Sequence, residues 1–325
     1  MIKNKKILIT GAAGFIGSHL TEELLKFDNF LTLIDNFNQY YQGKEQQLKE
    51  VVRNYQESKD YRIIRGDLTD ALVLDQLDKD FDFIFHLAAQ AGVRYSIEHA
   101  AEVSRNNIMS TVNVFEEALQ HENIAKIVYA SSSSVYGNPV YTPVDENHPK
   151  KPISPYAISK LCGELYGDYY FREFGLPITS LRFYTVYGPR GRPDMAIRKF
   201  FDKILQDREI SIYGDGTQIR DFTYIADIVK GLILAGETKA SNGEVFNLGG
   251  SHPLSVNELV NKMYEMTGKD KKITHLGKQK GDVDITHSNI SKARKILGFK
   301  PDFSIDQGLK KQYDWQVNIN EGLSN

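Results

Sequence analysis

Lys5-Lys-Ile-Leu-Ile-Thr10-Gly11-Ala-Ala-Gly14-Phe-Ile-Gly17 is the stretch whose reading decides the fold. Its apolar run reads as a short buried strand, and three glycines at three-residue spacing open an amphipathic segment, Phe15 to Lys26. Strand, glycine turn and helix in that order make a phosphate-binding unit. Gly11 allows the tight turn, Gly14 lets backbone N–H groups approach a pyrophosphate at the helix N-terminus, and Gly17 permits close packing of helix on strand. The spacing is G-x-x-G-x-x-G rather than G-x-G-x-x-G.

A second strand, Phe30 to Ile34, ends at Asp35, 18 residues beyond Gly17. A carboxylate at this offset suits an adenosine ribose and repels a 2'-phosphate, which favours NAD over NADP. Alone, Asp35 reads equally as a cap or turn residue. Further strands are expected at Tyr61 to Arg65, Phe81 to His86 and Ala125 to Ala130, separated by helices around Lys44 to Tyr55, Thr69 to Leu77 and Ser96 to His121. Alternating strand and helix predicts an α/β fold, a Rossmann-type doubly wound parallel sheet, with ligands at the C-terminal ends of its strands. Those ends carry Gly66-Asp67-Leu68, Leu87-Ala88-Ala89 and Ser131 to Ser134. Asp67 is suited to an adenine amine, and Ala88 and Ala89 leave room for backbone to approach a cofactor.

After the strand Ile178 to Phe183 the regular alternation stops. Helices are expected at Met195 to Gln206, Ile225 to Gly236, Ser255 to Met266, Ile290 to Leu297 and Ile305 to Asn318, with a short strand at Ile210 to Tyr213. Residues 1–180 are therefore expected to form a cofactor-binding domain to which later segments return, and residues 181–325 mainly a smaller substrate-binding α/β region.

With 41% hydrophobic and 25% charged residues, the 325-residue chain has ordinary globular composition. A net charge of -2 gives no global reason to expect nucleic acid or a membrane surface as partner. The basic start is followed by an apolar run, Ile7 to Ile9, too short for a signal core or a spanning helix, so a cytoplasmic protein is expected. The single cysteine, Cys162, excludes an internal disulfide and a Cys-based zinc site, and no metal is expected. Cys162 and the lone Trp315 are read as packing residues.

Tyr156-Ala-Ile-Ser-Lys160 supplies chemistry. A Tyr and a Lys at i, i+4 share a helix face, so the ammonium can lower the phenol's pKa and let Tyr156 move a proton off an alcohol. By itself the pattern reads as well as a solvated helix face. The serine run likewise reads as a polar loop, but a hydroxyl at a parallel strand's C-terminus would face the same crevice as Tyr156. Pro152 and Pro155 make a fitting entry to the Tyr156 helix.

Taken together, Thr10-Gly-Ala-Ala-Gly-Phe-Ile-Gly17, Gly66-Asp-Leu68, His86-Leu-Ala-Ala89, Ser131-Ser-Ser-Ser-Val-Tyr-Gly137 and Tyr156-x-x-x-Lys160 closely resemble the extended short-chain dehydrogenase/reductase family, the NAD-dependent epimerases and dehydratases. The likeness continues through Leu181 to Pro189, Arg220-Asp-Phe-Thr-Tyr224 and Phe246-Asn-Leu-Gly249. It implies Ser132, Tyr156 and Lys160 as catalytic residues. It also implies NAD contacts from Gly11, Gly14, Phe15, Ile16, Gly17, Asp35, Asn36, Asp67, Leu68, Ala88, Ala89 and Asn107, and a homodimer built through the long helices. Relatives that dehydrate the sugar carry Asp-Glu where Ser133 and Ser134 stand, so dehydration is not expected.

Ala88 to Ser96 and Arg182 to Met195 look like the UDP-glucuronate 4-epimerase branch, with Thr185 where epimerases of neutral UDP-hexoses usually have Asn. The resemblance implies 4-epimerisation through a transient 4-keto sugar, with Ser133, Ser134, Thr185 and Arg192 gripping the carboxylate. The plain alternative for Arg190 and Arg192 is a solvated loop. Arg220 resembles the diphosphate arginine, and Gln279-Lys-Gly-Asp282 replaces the usual second one, which leaves Gln279, Lys280 or Asp282 at that subsite. UDP-glucose or UDP-N-acetylglucosamine is the alternative substrate, and a non-catalytic NAD(H)-binding regulator the alternative class.

Overall fold

The computed structural model describes residues 1–251, 253–278 and 281–322. Its first half runs β1 (Lys6–Thr10), α1 (Phe15–Leu24), β2 (Phe30–Asp35), α2 (Lys44–Val52), β3 (Tyr61–Arg65), α3 (Ala71–Leu74) and β4 (Phe83–His86). The helices α4 (Val93–Glu98), α5 (Ala100–Ser104) and α6 (Ser110–Ala118) then lead to β5 (Lys126–Ser132), α7 (Pro155–Phe174) and β6 (Ile178–Phe183). The second half contains β7 (Thr185–Tyr187), α8 (Ala196–Leu205), β8 (Ile210–Tyr213), β9 (Ile219–Tyr224), α9 (Ile225–Glu237) and β10 (Val245–Leu248). It ends with β11 (Pro253–Ser255), α10 (Val256–Thr267), β12 (Ile273–Leu276), α11 (Ser291–Leu297) and α12 (Ile305–Gly322).

Seven strands form one parallel sheet in the order β10-β6-β5-β4-β1-β2-β3. This is the doubly wound order, with its topological switch between β1 and β4, where a crevice opens at the strand ends. Alternation within strands divides the core between the two faces: Ile7, Ile9, Leu31 and Leu33 join one apolar cluster, and Leu8, Ile34, Ile84 and Ile127 the other. Each such side chain contributes roughly 1.5–3 kcal/mol by leaving water.

Two polar residues of the motifs are structural. Thr10 Oγ1 bonds His86 Nδ1 at 2.8 Å across β1 and β4, and His86 Nε2 meets Thr111 Oγ1 at 3.0 Å. Burial lowers the His86 pKa to about 3, so the ring is neutral and spends both nitrogens on hydroxyls.

The helix expected over Ser96 to His121 is interrupted. His99 leaves helical geometry between α4 and α5, and a π-helical turn, Arg105–Met109, separates α5 from α6. By contrast α7 is continuous for 20 residues. Ser154 caps it by accepting from the Ala157 N–H at 3.2 Å, Pro155 occupies its first turn, and Gly175 ends it in left-handed geometry.

Beyond the main sheet, β11-β9-β7 form a three-stranded sheet and β12-β8 a parallel pair. Residues of β7, β8, β9 and β12 line a cavity beside the main sheet. Among the described residues no helix is long and apolar enough to cross a membrane, and no cluster of His, Cys, Asp and Glu suits a metal ion.

Candidate active site

Two adjoining cavities open at the strand ends. The first, about 210 Å³, runs along the glycine turn and the ends of β2 to β4. Every residue expected at the cofactor lines it except Asn107: Gly11, Gly14, Phe15, Ile16 and Gly17 on the turn, Asp35 and Asn36 after β2, Asp67 and Leu68 after β3, Ala88 and Ala89 after β4, and Tyr156 and Lys160 on α7.

The turn is tight. Gly11 has φ +69° and lies against the backbone of Ala88, and a Cβ on Gly17 would fall 2.1 Å from the Gly11 carbonyl oxygen. The Asp35 carboxylate accepts from the Ala13 N–H at 3.1 Å and the Phe37 N–H at 2.8 Å, which links β2 to the glycine turn, and burial raises its pKa. Against burial, hydrogen bonds from Thr69 and Asn36 hold the Asp67 carboxyl below its ordinary pKa. Backbone N–H donors at a helix N-terminus on one side and an accepting carboxylate on the other suit a dinucleotide.

Asn107 does something else. It is buried, accepting from the Gln90 N–H at 2.7 Å and donating to the Gln90 carbonyl at 3.2 Å and to Ser159 Oγ at 2.9 Å. Asn106 faces the cavity in its place. The π-helical turn is the reason, since an extra residue in a turn rotates the helix phase that an unbroken α-helix would keep.

The second cavity, about 670 Å³, lies between the main sheet and the later elements. Ser132, Ser133, Ser134, Tyr156, Thr185, Arg192, Arg220 and Asp282 all line it. Gln279 and Lys280 lie outside the described residues. The two cavities meet at Phe15, Ile16, Ser131, Tyr156, Phe183 and Arg192.

At the junction the electrostatics differ from the expected Tyr/Lys pairing. Lys160 donates Nζ to the Ala130 carbonyl at 2.7 Å and stands 5.0 Å above the Tyr129 ring. Burial lowers its pKa to about 7, with Glu164 opposing. Burial raises the Tyr156 phenol, and the groups that pull it down are the Arg192 guanidinium and a hydrogen bond with Ser132. Helical spacing thus puts Lys160 on the right face, but its ammonium turns to the β5 backbone. Ser132 in turn accepts from the Ser134 hydroxyl at 2.9 Å and the Ser134 N–H at 3.2 Å.

Residues 7–249 match the NAD dependent epimerase/dehydratase family. The chain belongs to that family. It is 41% identical to UDP-glucuronate 4-epimerase 4 of Arabidopsis thaliana over 97% of this chain and 76% of that protein. Among solved structures, the UDP-glucuronic acid 4-epimerase of Bacillus cereus, in complex with UDP-glucuronic acid and NAD, superposes with a TM-score of 0.88 at 37% identity, covering 97% of this chain and 99% of that one. The UDP-N-acetylglucosamine 4-epimerase of Methanobrevibacter ruminantium, in complex with UDP-N-acetylmuramic acid, gives 0.90 at 33%, covering 98% and 100%. NAD is the cofactor of this family, and the first cavity fits it.

Several further residues line this epimerase-family site. Tyr40 donates to Asp194 Oδ2 at 3.2 Å, and Asp194 is the bidentate partner of Arg192. Arg94 stacks on Tyr213 at 4.4 Å and stands 3.9 Å from Asp282, which also pairs with Arg220 at 2.5 Å. Two guanidiniums therefore converge on one carboxylate. Arg94 stands in the first turn of α4, within the stretch Ala88 to Ser96, but only tertiary folding brings it beside Asp282.

Proposed function

We propose that the protein epimerises C4 of a UDP-sugar, converting UDP-glucuronate to UDP-galacturonate. The observation that carries this reading is Arg192, a guanidinium beside Tyr156 where the two cavities meet, facing a strand end that bears hydroxyls and no acids. A carboxylated sugar with C4 at Tyr156 would offer Arg192 the anion it is shaped to bind. The Arabidopsis and Bacillus relatives support it.

NAD, when bound, supplies the hydride acceptor and donor for C4. Tyr156 takes the proton of the 4-hydroxyl and later returns it. Ser132 holds the same oxygen while its own hydroxyl accepts a hydrogen bond from Ser134. Lys160 lines the cofactor cavity and, when protonated, adds positive charge there. A 4-keto uronate is a β-keto acid that loses CO2 when its carboxylate turns freely. Arg192, Thr185, Ser133 and Ser134 restrain it, and no carboxylic acid beside Ser132 is placed to eliminate water. Arg220 and Arg94 take the diphosphate, with Asp282 between them.

A homodimer forms through α7. Ile158, Leu165, Tyr166 and Tyr169 make an apolar stripe at helical spacing on its outer face, with Leu165 61% exposed, and Met109 adds to the stripe from the neighbouring π-helical turn. Light scattering of the wild type and Leu165→Glu tests this, with a dimer and a monomer expected.

NMR of the products from UDP-glucuronate tests the reaction. The C4 epimer is expected. UDP-pentose as product, or no turnover beside rapid epimerisation of UDP-glucose or UDP-N-acetylglucosamine, replaces the substrate assignment. Bound NAD without turnover of any UDP-sugar points instead to a regulator.

A further inference from the structure

Tyr156, Lys160 and Glu164 stand at four-residue spacing on one face of α7, and the end of β5 meets that face residue by residue. The Tyr129 hydroxyl donates to the Lys160 carbonyl at 3.4 Å, and the Ala130 carbonyl accepts from Lys160 Nζ at 2.7 Å. Ser131 donates its hydroxyl to Glu164, and the next residue, Ser132, lines the second cavity with Tyr156 and lowers the phenol's pKa. Gly163 makes the approach possible, since a Cβ there would fall 2.2 Å from the Tyr129 hydroxyl.

Glu164 is held from the other side by Arg182 on β6, Nε to Oε1 at 2.8 Å and Nη2 to Oε2 at 2.6 Å. Their side chains are 5% and 2% exposed. Arg182 also donates to the Tyr136 hydroxyl at 2.7 Å, and Tyr136 donates to Asn247 at 2.7 Å. A buried ion pair is weak evidence for stability, because desolvation offsets its attraction. This pair instead ends on the strand and the lysine that serve Tyr156.

We infer that Glu164 is a positioning residue for proton transfer: through Ser131 it fixes the strand end that aims Ser132 at Tyr156, and it presents its carboxylate to Lys160. The inference rests on the proposed role of Tyr156. The titratable groups that act on Lys160 are His86 on β4, Tyr129 on β5 and Glu164 on α7, with Arg182 behind Glu164. Burial keeps His86 and Tyr129 uncharged, so Glu164 is the anion that acts on the lysine.

The test compares the wild-type holoenzyme with Glu164→Gln and with the double variant Glu164→Gln/Arg182→Met, which removes both charges and leaves no unpaired guanidinium in the core. In both variants kcat is expected to fall about 10-fold or more, with KM within roughly twofold of wild type. The Lys160 titration, followed by NMR of ¹³C-labelled lysine and assigned with Lys160→Arg, is expected to move down by about one pH unit. An unchanged titration, or a double variant with wild-type kcat, overturns the inference. Absence of epimerase activity in the wild type rejects the proposed function instead, and the lysine titration still reports on Glu164.

Discussion

Arg192 holds Asp194 along one edge of its guanidinium, Nε to Oδ1 at 2.9 Å and Nη2 to Oδ2 at 2.7 Å. A planar fork fixed along that edge keeps its remaining N–H groups in a set direction, so the cation is aimed before any ligand arrives. Against burial, the paired carboxylate also holds the guanidinium firmly protonated.

Arg192→Met is therefore expected to lower kcat/KM for UDP-glucuronate by roughly 100-fold or more, the cost of leaving a buried carboxylate without its charged partner. Turnover of UDP-glucose, which has no carboxylate, should change by less than about 10-fold. Steady-state kinetics on both substrates checks this. Equal losses on the two would assign Arg192 to structure rather than to carboxylate recognition.

Tyr156→Phe removes the proposed base without removing bulk. A fall in kcat of about 10²–10⁴ is expected, with NAD content unchanged, since a positioned proton acceptor contributes on that scale. Ser132→Ala acts on the same group. Its hydrogen bond lowers the phenol's pKa, so its loss raises that pKa and moves the ascending limb of the pH–rate profile toward higher pH. A limb that stays in place would show that Ser132 does not act through Tyr156.

Lys160 carries a cost in stability. Burial lowers its pKa from 10.5 to about 7, so between those values the unfolded chain binds the proton more readily than the folded one, and stability rises with pH across the window. Below pH 7 the folded state bears the full penalty. Lys160→Met is accordingly expected to be more stable than wild type at pH 6, by on the order of 2–5 kcal/mol, with the gap closing toward pH 10. Urea unfolding across this range measures it; a gap independent of pH would place the effect in packing alone.

The main sheet was legible because its strands are local apolar runs next to glycine turns, and the motifs sit at their ends. Tyr156 and Lys160 were legible as one face of one helix. That the ammonium turns away from Tyr156 was not, because the Ala130 carbonyl that takes it belongs to a strand distant in sequence. The burial of Asn107 on Gln90 and Ser159, away from the first cavity, was not legible for a related reason: it lies in a π-helical turn that no residue type announces. The strands β7, β9, β10, β11 and β12 escaped because three- to six-residue strands acquire their identity from pairing partners. Arg94 and Tyr40 line the second cavity beside Asp282 and Asp194, which tertiary folding alone brings to them.

Gly17→Ala probes the stretch on which the fold depends. The new Cβ would lie 2.1 Å from the Gly11 carbonyl oxygen and 2.9 Å from Ala12 Cα, and both are backbone atoms that cannot rotate away. The helix must then move off the strand, at about 1–3 kcal/mol for forced overpacking, and its N–H groups leave the line of the pyrophosphate. Gly14→Ala meets only the Gly11 oxygen at 3.1 Å, which a shift of a few tenths of an ångström relieves. Calorimetric NAD titration is expected to show binding weakened by about 10-fold or more for Gly17→Ala, with a lower melting temperature, and a smaller effect for Gly14→Ala. Unimpaired NAD binding by Gly17→Ala would mean that close packing of α1 on β1 is not what presents the helix N-terminus to the cofactor.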